Sequence, residues 1–363
     1  MTYLDYQATT PLAPEALAAM IPWLRDGHAN PHSPHREGRR ARAAVEVARD
    51  RVAALLPRGG RVAFTSGATE ALNWAIKGTT GPIVTVATEH AAVLDTVAAE
   101  AALGRTVTVL PVRADGLIDL EAARTAIVPG TGLVAAMLVN NEIGVVQPIA
   151  ALADIAQAAG AAMLCDAVQG YGRMPVPEGC DLVAISAHKV YGPKGIGALW
   201  VRHGVELAPL MHGGGQEAPG RSGTLSPALC AGFGVAAALM RDRQSADMSA
   251  VDRMWQAALG RLGPIWMVNG SIEARYHGNL NIRRDGLDVN RLMSLCRDIA
   301  FSAGSACASG SGRSSHVLRA IGLTETEART SVRIGFGRYT TPADLGAAME
   351  MIAAAADAQR RGA

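Results

Sequence analysis

The sequence predicts an α/β protein: a large domain on a mostly parallel sheet flanked by helices, joined to a smaller α+β domain. Three observations predict it. From about residue 60 to residue 201, short apolar runs of strand length alternate with amphipathic stretches of helical period. After Gly223 the alternation stops and a long helical stretch takes over, followed by short strands and helices. Several of the apolar runs end abruptly in polar residues, as strands do where a parallel sheet presents its carboxyl ends to a ligand. At 363 residues the chain is long enough to bury a core of this size.

In chain order, residues 1–14 are extended and turn-like, with Pro11 and Pro14, and a helix begins at Pro14-Glu15, residue types favoured in a first turn. A loop over 30–35 leads into a long helix over 36–56. Strands are expected at 62–64, 83–87, 106–111, 133–139, 162–165 and 182–185, and helices at 69–77, 91–103 and 149–159. Near-continuous apolar strands of this kind are those of a parallel sheet covered on both faces. A Gly- and Pro-rich turn after Lys189 brings in one more apolar strand, closing at Val201. A helical stretch then covers 227–262, with a polar dip around Asp242 and Asp247. The division this suggests is a large domain over 14–244 and a small one formed by 1–13 with 245–363.

Composition excludes several classes. The chain is 49% hydrophobic and 18% charged with a formal net charge of +2, and its Lys and Arg are scattered. Neither nucleic acid nor a membrane surface is an expected partner. The richest basic run, His35 to Arg42, reads as the solvated first turns of a helix. No apolar run approaches a membrane span, and the first residues lack the basic and apolar regions of a signal peptide. The five cysteines form no CxxC pair, so neither a zinc site nor a disulfide framework is expected. These features fit the reducing cytoplasm.

The polar strand ends carry the chemistry. Ser186-Ala187-His188-Lys189 follows an apolar run, where desolvation would lower a lysine's pKa and leave a nucleophilic amine. A lone lysine at a strand end is more often simply a surface residue, and its company decides the matter. Thr65-Ser66-Gly67-Ala68-Thr69-Glu70 opens a helix, offering backbone N–H groups and hydroxyls to an anion, or merely a cap. His90 could stack on a ring or cap the helix after it. Asn140-Asn141-Glu142 and Asp166 with Gln169 follow two further strands. A carboxylate at the buried end of a strand needs a cation or donors. Together these groups ask for one ligand with a phosphate, an aromatic ring bearing a basic nitrogen, and a carbonyl that condenses with an amine. That ligand is pyridoxal 5'-phosphate.

Ten motifs through nearly the whole chain resemble the cysteine desulfurases of the NifS/IscS type, class-V aminotransferase-like enzymes of fold-type I. They are Tyr3-Leu4-Asp5-Tyr6-Gln7-Ala8-Thr9-Thr10-Pro11, Phe64-Thr65-Ser66-Gly67-Ala68-Thr69-Glu70, Thr88-Glu89-His90, Asn140-Asn141-Glu142-Ile143-Gly144 and Asp166-Ala167-Val168-Gln169. They continue with Ser186-Ala187-His188-Lys189, His212-Gly213-Gly214-Gly215-Gln216-Glu217, Arg221-Ser222-Gly223-Thr224, Ser302-Ala303-Gly304-Ser305-Ala306-Cys307 and Val332-Arg333-Ile334-Gly335-Phe336-Gly337-Arg338. The resemblance implies that Lys189 condenses with the cofactor's carbonyl, that Asp166 pairs with the pyridine nitrogen, and that Gln169 donates to the ring hydroxyl. His90 would stack on the ring and shuttle protons. Thr69, Ser186 and His188 would hold the phosphate, joined by Thr224 from the other subunit of a homodimer, and Ala68 would also contact the cofactor. Asn141 and Arg333 would bind the carboxylate of L-cysteine, the arginine through a bidentate pair.

Cys307 separates desulfurases from their relatives. It lies among Gly, Ser and Ala with nothing bulky to anchor it, as suits a thiol that collects sulfur and carries it away. The reading is removal of sulfur from L-cysteine to give L-alanine and a persulfide on Cys307, for a sulfur-acceptor protein such as an iron–sulfur scaffold. A selenocysteine lyase or a class-V aminotransferase is the alternative. Ala187 and Val168 replace the family's commoner Gly and Thr, and the chain lacks the extended tail of many relatives, which leaves the acceptor open.

Overall fold

The computed structural model describes residues 1–217, 220–304 and 315–361. The chain opens on a short strand, β1 (Thr2–Tyr3), and two helices, α1 (Pro14–Arg25) and α2 (Arg36–Ala53). The alternating region follows as β2 (Gly60–Thr65), α3 (Ala68–Gly78), β3 (Ile83–Val86), α4 (Ala91–Ala102), β4 (Val107–Leu110), α5 (Leu120–Ala126), β5 (Leu133–Met137), α6 (Ile149–Ala158), β6 (Ala162–Asp166), β7 (Leu182–Ser186) and β8 (Gly197–Arg202). A single 3-10 turn, Ala187–Lys189, leaves the end of β7. The long helix α7 (Pro227–Arg261) leads to β9 (Met267–Val268), β10 (Asn279–Arg283), α8 (Val289–Leu295), β11 (Ile299–Ala300), β12 (Ser302–Ala303), α9 (His316–Ala320), α10 (Glu325–Arg329), β13 (Ser331–Gly335) and α11 (Pro342–Arg361).

Seven strands form one sheet in the order β2-β8-β7-β6-β5-β3-β4. All run parallel except β8, which is antiparallel to both its neighbours. Its core follows from the two-residue period of a strand. Ala63, Leu133, Ala135, Leu164, Leu182 and Ala184 pack with α3 and α4 on one face, around the fully buried Trp74. Their neighbours Phe64, Val134, Ala136, Met163, Cys165 and Val183 belong to the core on the other, with α2, α6 and α7. Parallel strands put their carboxyl ends on one edge, so Thr65, Val86, Met137, Asp166 and Ser186 end side by side.

The N-terminal segment crosses that edge: Thr10 N donates to His188 O at 2.9 Å and Ala13 N to Tyr191 O at 2.9 Å. A second, antiparallel sheet has the order β12-β13-β10-β9, and Asp5 bridges to Gly335 at the end of β13. β1 pairs in parallel with β11.

Two elements differ from the sequence reading. α5 was not expected: it is seven residues long, too short for a helical period to stand out, though Asp119 caps it by accepting from Glu121 N and Ala122 N. The polar dip around residues 242–247 does not interrupt α7, and residue 244 falls inside it. Asp247 instead meets the buried Arg338 at 2.7 Å, and Gln244 Nε2 donates to Gly172 O at 3.2 Å. Among the described residues, no helix is long and apolar enough to cross a membrane.

Candidate active site

A cavity of about 500 Å³ opens at the carboxyl edge of the large sheet. Of the residues singled out in the sequence, Ala68, Thr69, His90, Asn141, Asp166, Gln169, Ser186, His188, Lys189 and Arg333 all line it. Thr224 is exposed and lies outside that lining. Cys307 lies outside the described residues, so its expected place beside the cavity and the expected looseness of its segment are not described.

Lys189 leaves β7 on its 3-10 turn and is half-buried. Its Nζ donates to Gln7 O at 2.6 Å and Ala8 O at 2.8 Å. Burial pulls its pKa down to about 8, helped by the guanidiniums of Arg333 and Arg173 and opposed by Asp166 and Asp5. Two residues on, Tyr191 has φ of 66°, a left-handed conformation uncommon for a bulky side chain. Thr10 Oγ1 accepts from Tyr191 N at 2.7 Å, and the Tyr191 hydroxyl accepts from Arg338 N at 3.0 Å.

Asp166 is the last residue of β6 and is buried. Among the described residues its carboxylate accepts one hydrogen bond, from Val168 N at 2.9 Å. Burial raises its pKa, opposed by that bond and by His90 and Lys189. His90 caps α4, its Nδ1 accepting from Ala92 N at 3.0 Å. Burial lowers its pKa, so the ring is neutral near pH 7 and its proton sits on Nε2. The capping reading and the site reading of His90 are therefore compatible. Gln169 Nε2 donates to Gln7 O at 3.0 Å.

The corner expected to take an anion is built where α3 begins. Gly67 is its N-cap and makes no side-chain cap bond, leaving the first backbone N–H groups to whatever enters. The start of β8 closes against this turn: a Cβ on Gly197 would meet Gly67 Cα at 2.8 Å. Ser186 and His188 line the same cavity. Burial and the nearby Lys189 and Lys194 pull the His188 pKa down to about 4, so its ring is neutral. Its Nδ1 lies 3.1 Å from Thr9 Oγ1.

Arg333, on β13, is buried, with Nη2 on Asp5 Oδ1 at 2.8 Å and Nη1 on Asn141 O at 3.0 Å. Its Nε has no hydrogen-bond partner among the described residues. The sequence reading gave no role to Gln7, Ala8, Asp5 or Lys194, of which all but Asp5 line the cavity. Gln7 and Ala8 reach Lys189 through backbone carbonyls, which no residue type announces. Glu89 was also passed over. It is buried, accepts from Met137 N at 2.7 Å, and is pushed well above the carboxylate range by burial and by Asp166.

Among the described residues, no group of three or more His, Cys, Asp or Glu is gathered to hold a metal ion. Cys165, Cys180, Cys230 and Cys296 are free and buried. The thiol of Cys165 is pushed well up by its hydrogen bond to Cys180 and by burial, and burial, helped by the carboxylate of Glu217, takes Cys230 up to about 12.

The family model of the class-V aminotransferases matches residues 2–347. The chain is 42% identical, over an alignment of 377 positions, to a protein named cysteine desulfurase IscS from Rickettsia akari (strain Hartford), covering 99% of this chain and 92% of that one. The solved structure of a NifS-like protein from Rickettsia africae ESF-5 superposes with a TM-score of 0.90 at 30% identity, covering 98% of this chain and 99% of that chain. A structure described as SspA in complex with cysteine gives a TM-score of 0.83 at 35% identity, covering 94% and 100%. With the family model spanning nearly its whole length, the chain belongs to the class-V aminotransferase family.

Proposed function

We propose that this protein is a pyridoxal-phosphate-dependent cysteine desulfurase that takes sulfur from L-cysteine onto Cys307 and releases L-alanine. The observation that carries the reading is the convergence of Lys189, Asp166, His90, Gln169, Ser186 and His188 on one cavity, with the lysine pulled down to about pH 8. The names of its relatives, and the cysteine in the SspA structure, support the substrate.

The residues fit the cofactor. Asp166 is a buried carboxylate short of donors, and a cationic ring nitrogen beside it would favour its ionised form. The uncapped start of α3, with Ala68, Thr69, Ser186 and His188, suits a phosphate. Pyridoxal phosphate supplies an electrophilic carbonyl and a ring that accepts the electron pair released at a substrate Cα. Lys189 would hold the carbonyl and then carry the Cα proton on Nζ. His90 would exchange a proton through Nε2, the nitrogen its capping bond leaves protonated. Asn141 and Arg333 would take the substrate carboxylate, the arginine through Nε and Nη2 in competition with Asp5. The Cys307 thiolate would attack the substrate sulfur. The C–S bond breaks with its electron pair left on carbon, that carbon is protonated, and alanine and a persulfide result.

The protein would act as a homodimer, the exposed Thr224 completing the phosphate site of the partner subunit, and hand its sulfur to an acceptor protein in the cytoplasm. The large domain would be 14–244 and the small one 1–13 with 245–363. To test the reaction, the purified protein is incubated with L-cysteine and pyridoxal phosphate under thiol reductant. Alanine and sulfide released in equal amounts are expected. A keto acid without sulfide would instead mark an aminotransferase.

A further inference from the structure

The turn that follows β6 carries a third side chain besides Asp166 and Gln169. Arg173 lies outside the cavity lining and is 6% exposed. Its Nη1 donates to Gln169 O at 2.7 Å and its Nη2 to Lys189 O at 2.6 Å. Its guanidinium also lies over the Tyr276 ring, 5.1 Å from the centroid. All three contacts are neutral groups, and among the described residues its side-chain hydrogen bonds go to carbonyls alone. Burying a guanidinium without a counter-charge is costly, and two charge-assisted bonds with an aromatic face offset part of that cost. The backbone beneath it is held as well. Gly172 has φ of 72°, and a Cβ there would meet Met240 Cβ on α7 at 2.8 Å. The turn is thus pressed against α7, and Arg173 N donates to Gly170 O at 2.9 Å.

The two carbonyls belong to residues whose side chains also share a partner. Gln7 O accepts from Gln169 Nε2 at 3.0 Å and from Lys189 Nζ at 2.6 Å. Gln169 and Lys189 are therefore tied twice, by their side chains at Gln7 O and by their backbones at Arg173. They stand after β6 and β7, which pair in parallel. A planar fork presents two separate donors to two carbonyls, which the compact ammonium of a lysine does not reproduce.

We propose that Arg173 is a positioning residue whose fork fixes Lys189 against Gln169. The inference rests on the role given to Lys189 above, holding the cofactor's carbonyl. The charge of Arg173 has a second effect. Lys189 faces Arg333 and Arg173, which pull its pKa down, and Asp166 and Asp5, which oppose them. His90 and His188, which also face it, are neutral. Arg333 is paired with Asp5 at 2.8 Å, whereas Arg173 has no carboxylate on its fork among the described residues. Removing the charge of Arg173 should therefore raise the pH at which Lys189 becomes a free amine.

The test uses the full chain, stripped of cofactor and reloaded with pyridoxal phosphate, with uptake and release followed by absorbance. The variants are Arg173→Met, Arg173→Gln and Arg173→Lys. In the two neutral variants the pH midpoint of uptake is expected to rise from about 8 by about half a unit or more. Arg173→Lys keeps the charge, so its midpoint should stay with that of the wild type. All three variants lose the fork, and cofactor should leave them about tenfold faster on dilution, the worth of one charge-assisted bond. A residue that merely supports the fold would not separate the two readouts. If neither neutral variant folds, release from Arg173→Lys decides alone. A wild-type midpoint in a folded neutral variant, or wild-type release from Arg173→Lys, overturns the proposal. Wild-type protein that takes up no pyridoxal phosphate overturns the cofactor reading instead, and the role proposed here with it.

Discussion

A lysine amine in water keeps its proton to above pH 10, and Lys189 departs from that because it is buried and faces Arg333 and Arg173. The fraction of free amine therefore grows as the pH rises through about 8. Capture of added pyridoxal phosphate by cofactor-free protein, followed by absorbance, should rise over the same range and level off above it. A midpoint above pH 10 would show that the surroundings leave the lysine unperturbed. Glu89 is the opposite case, an acid pushed well above the usual carboxylate range by burial and by Asp166. Glu89→Gln keeps the acceptor for Met137 N and should cost about 1 kcal/mol or less in denaturant unfolding; a loss of several kcal/mol would mean that the side chain is an anion. The ten lining residues singled out above were legible in the sequence because each follows an apolar run or belongs to a recognisable motif. Gln7 and Ala8 were not assigned roles, because they act through carbonyls that every residue possesses.

At the scale of elements, the segment after β8 is fastened to the large sheet by a buried ion pair. Glu217, fully buried, accepts from both Arg49 Nη1 and Arg49 Nη2 at 2.7 Å and from Phe64 N at 2.8 Å. Arg49 in turn lies over the Phe64 ring, 4.9 Å from its centroid. Removing one partner strands a buried charge, so Glu217→Ala should destabilise the protein by about 3–5 kcal/mol in denaturant unfolding. Replacing both partners by apolar residues should cost clearly less. A Glu217→Ala loss below about 1 kcal/mol would show that the pair is not desolvated in solution. Sequence reasoning quoted Glu217 within a motif without foreseeing Arg49, 168 positions away, as its partner. Strand and helix types were legible from period alone, whereas partners distant in sequence leave no local signal. α7 shows the same limit, since the polar residues that suggested a break are those that meet Arg338 and Gly172.

Across the whole molecule, the cavity is assembled from three distant stretches. The carboxyl edge of the large sheet supplies Asp166 and Lys189, the N-terminal segment supplies Gln7 and Ala8, and β13 supplies Arg333. The Asp5–Arg333 pair joins the last two, so the cavity is complete only when both of these stretches are folded onto the sheet. The parallel order of the strands was legible because the apolar runs lacked alternation. The N-terminal crossing was not, because it is held by backbone bonds such as Thr10 to His188. The central claim is that sulfur leaves cysteine for Cys307, and locating the added sulfur atom tests it most directly. The wild-type protein is exposed briefly to L-cysteine, digested without reductant and analysed by mass spectrometry beside Cys307→Ala. The account predicts the added sulfur on Cys307 alone, and in the variant an unaltered cofactor spectrum with neither persulfide nor sulfide. Sulfur on Cys165, Cys180, Cys230 or Cys296, or normal turnover by Cys307→Ala, would contradict it.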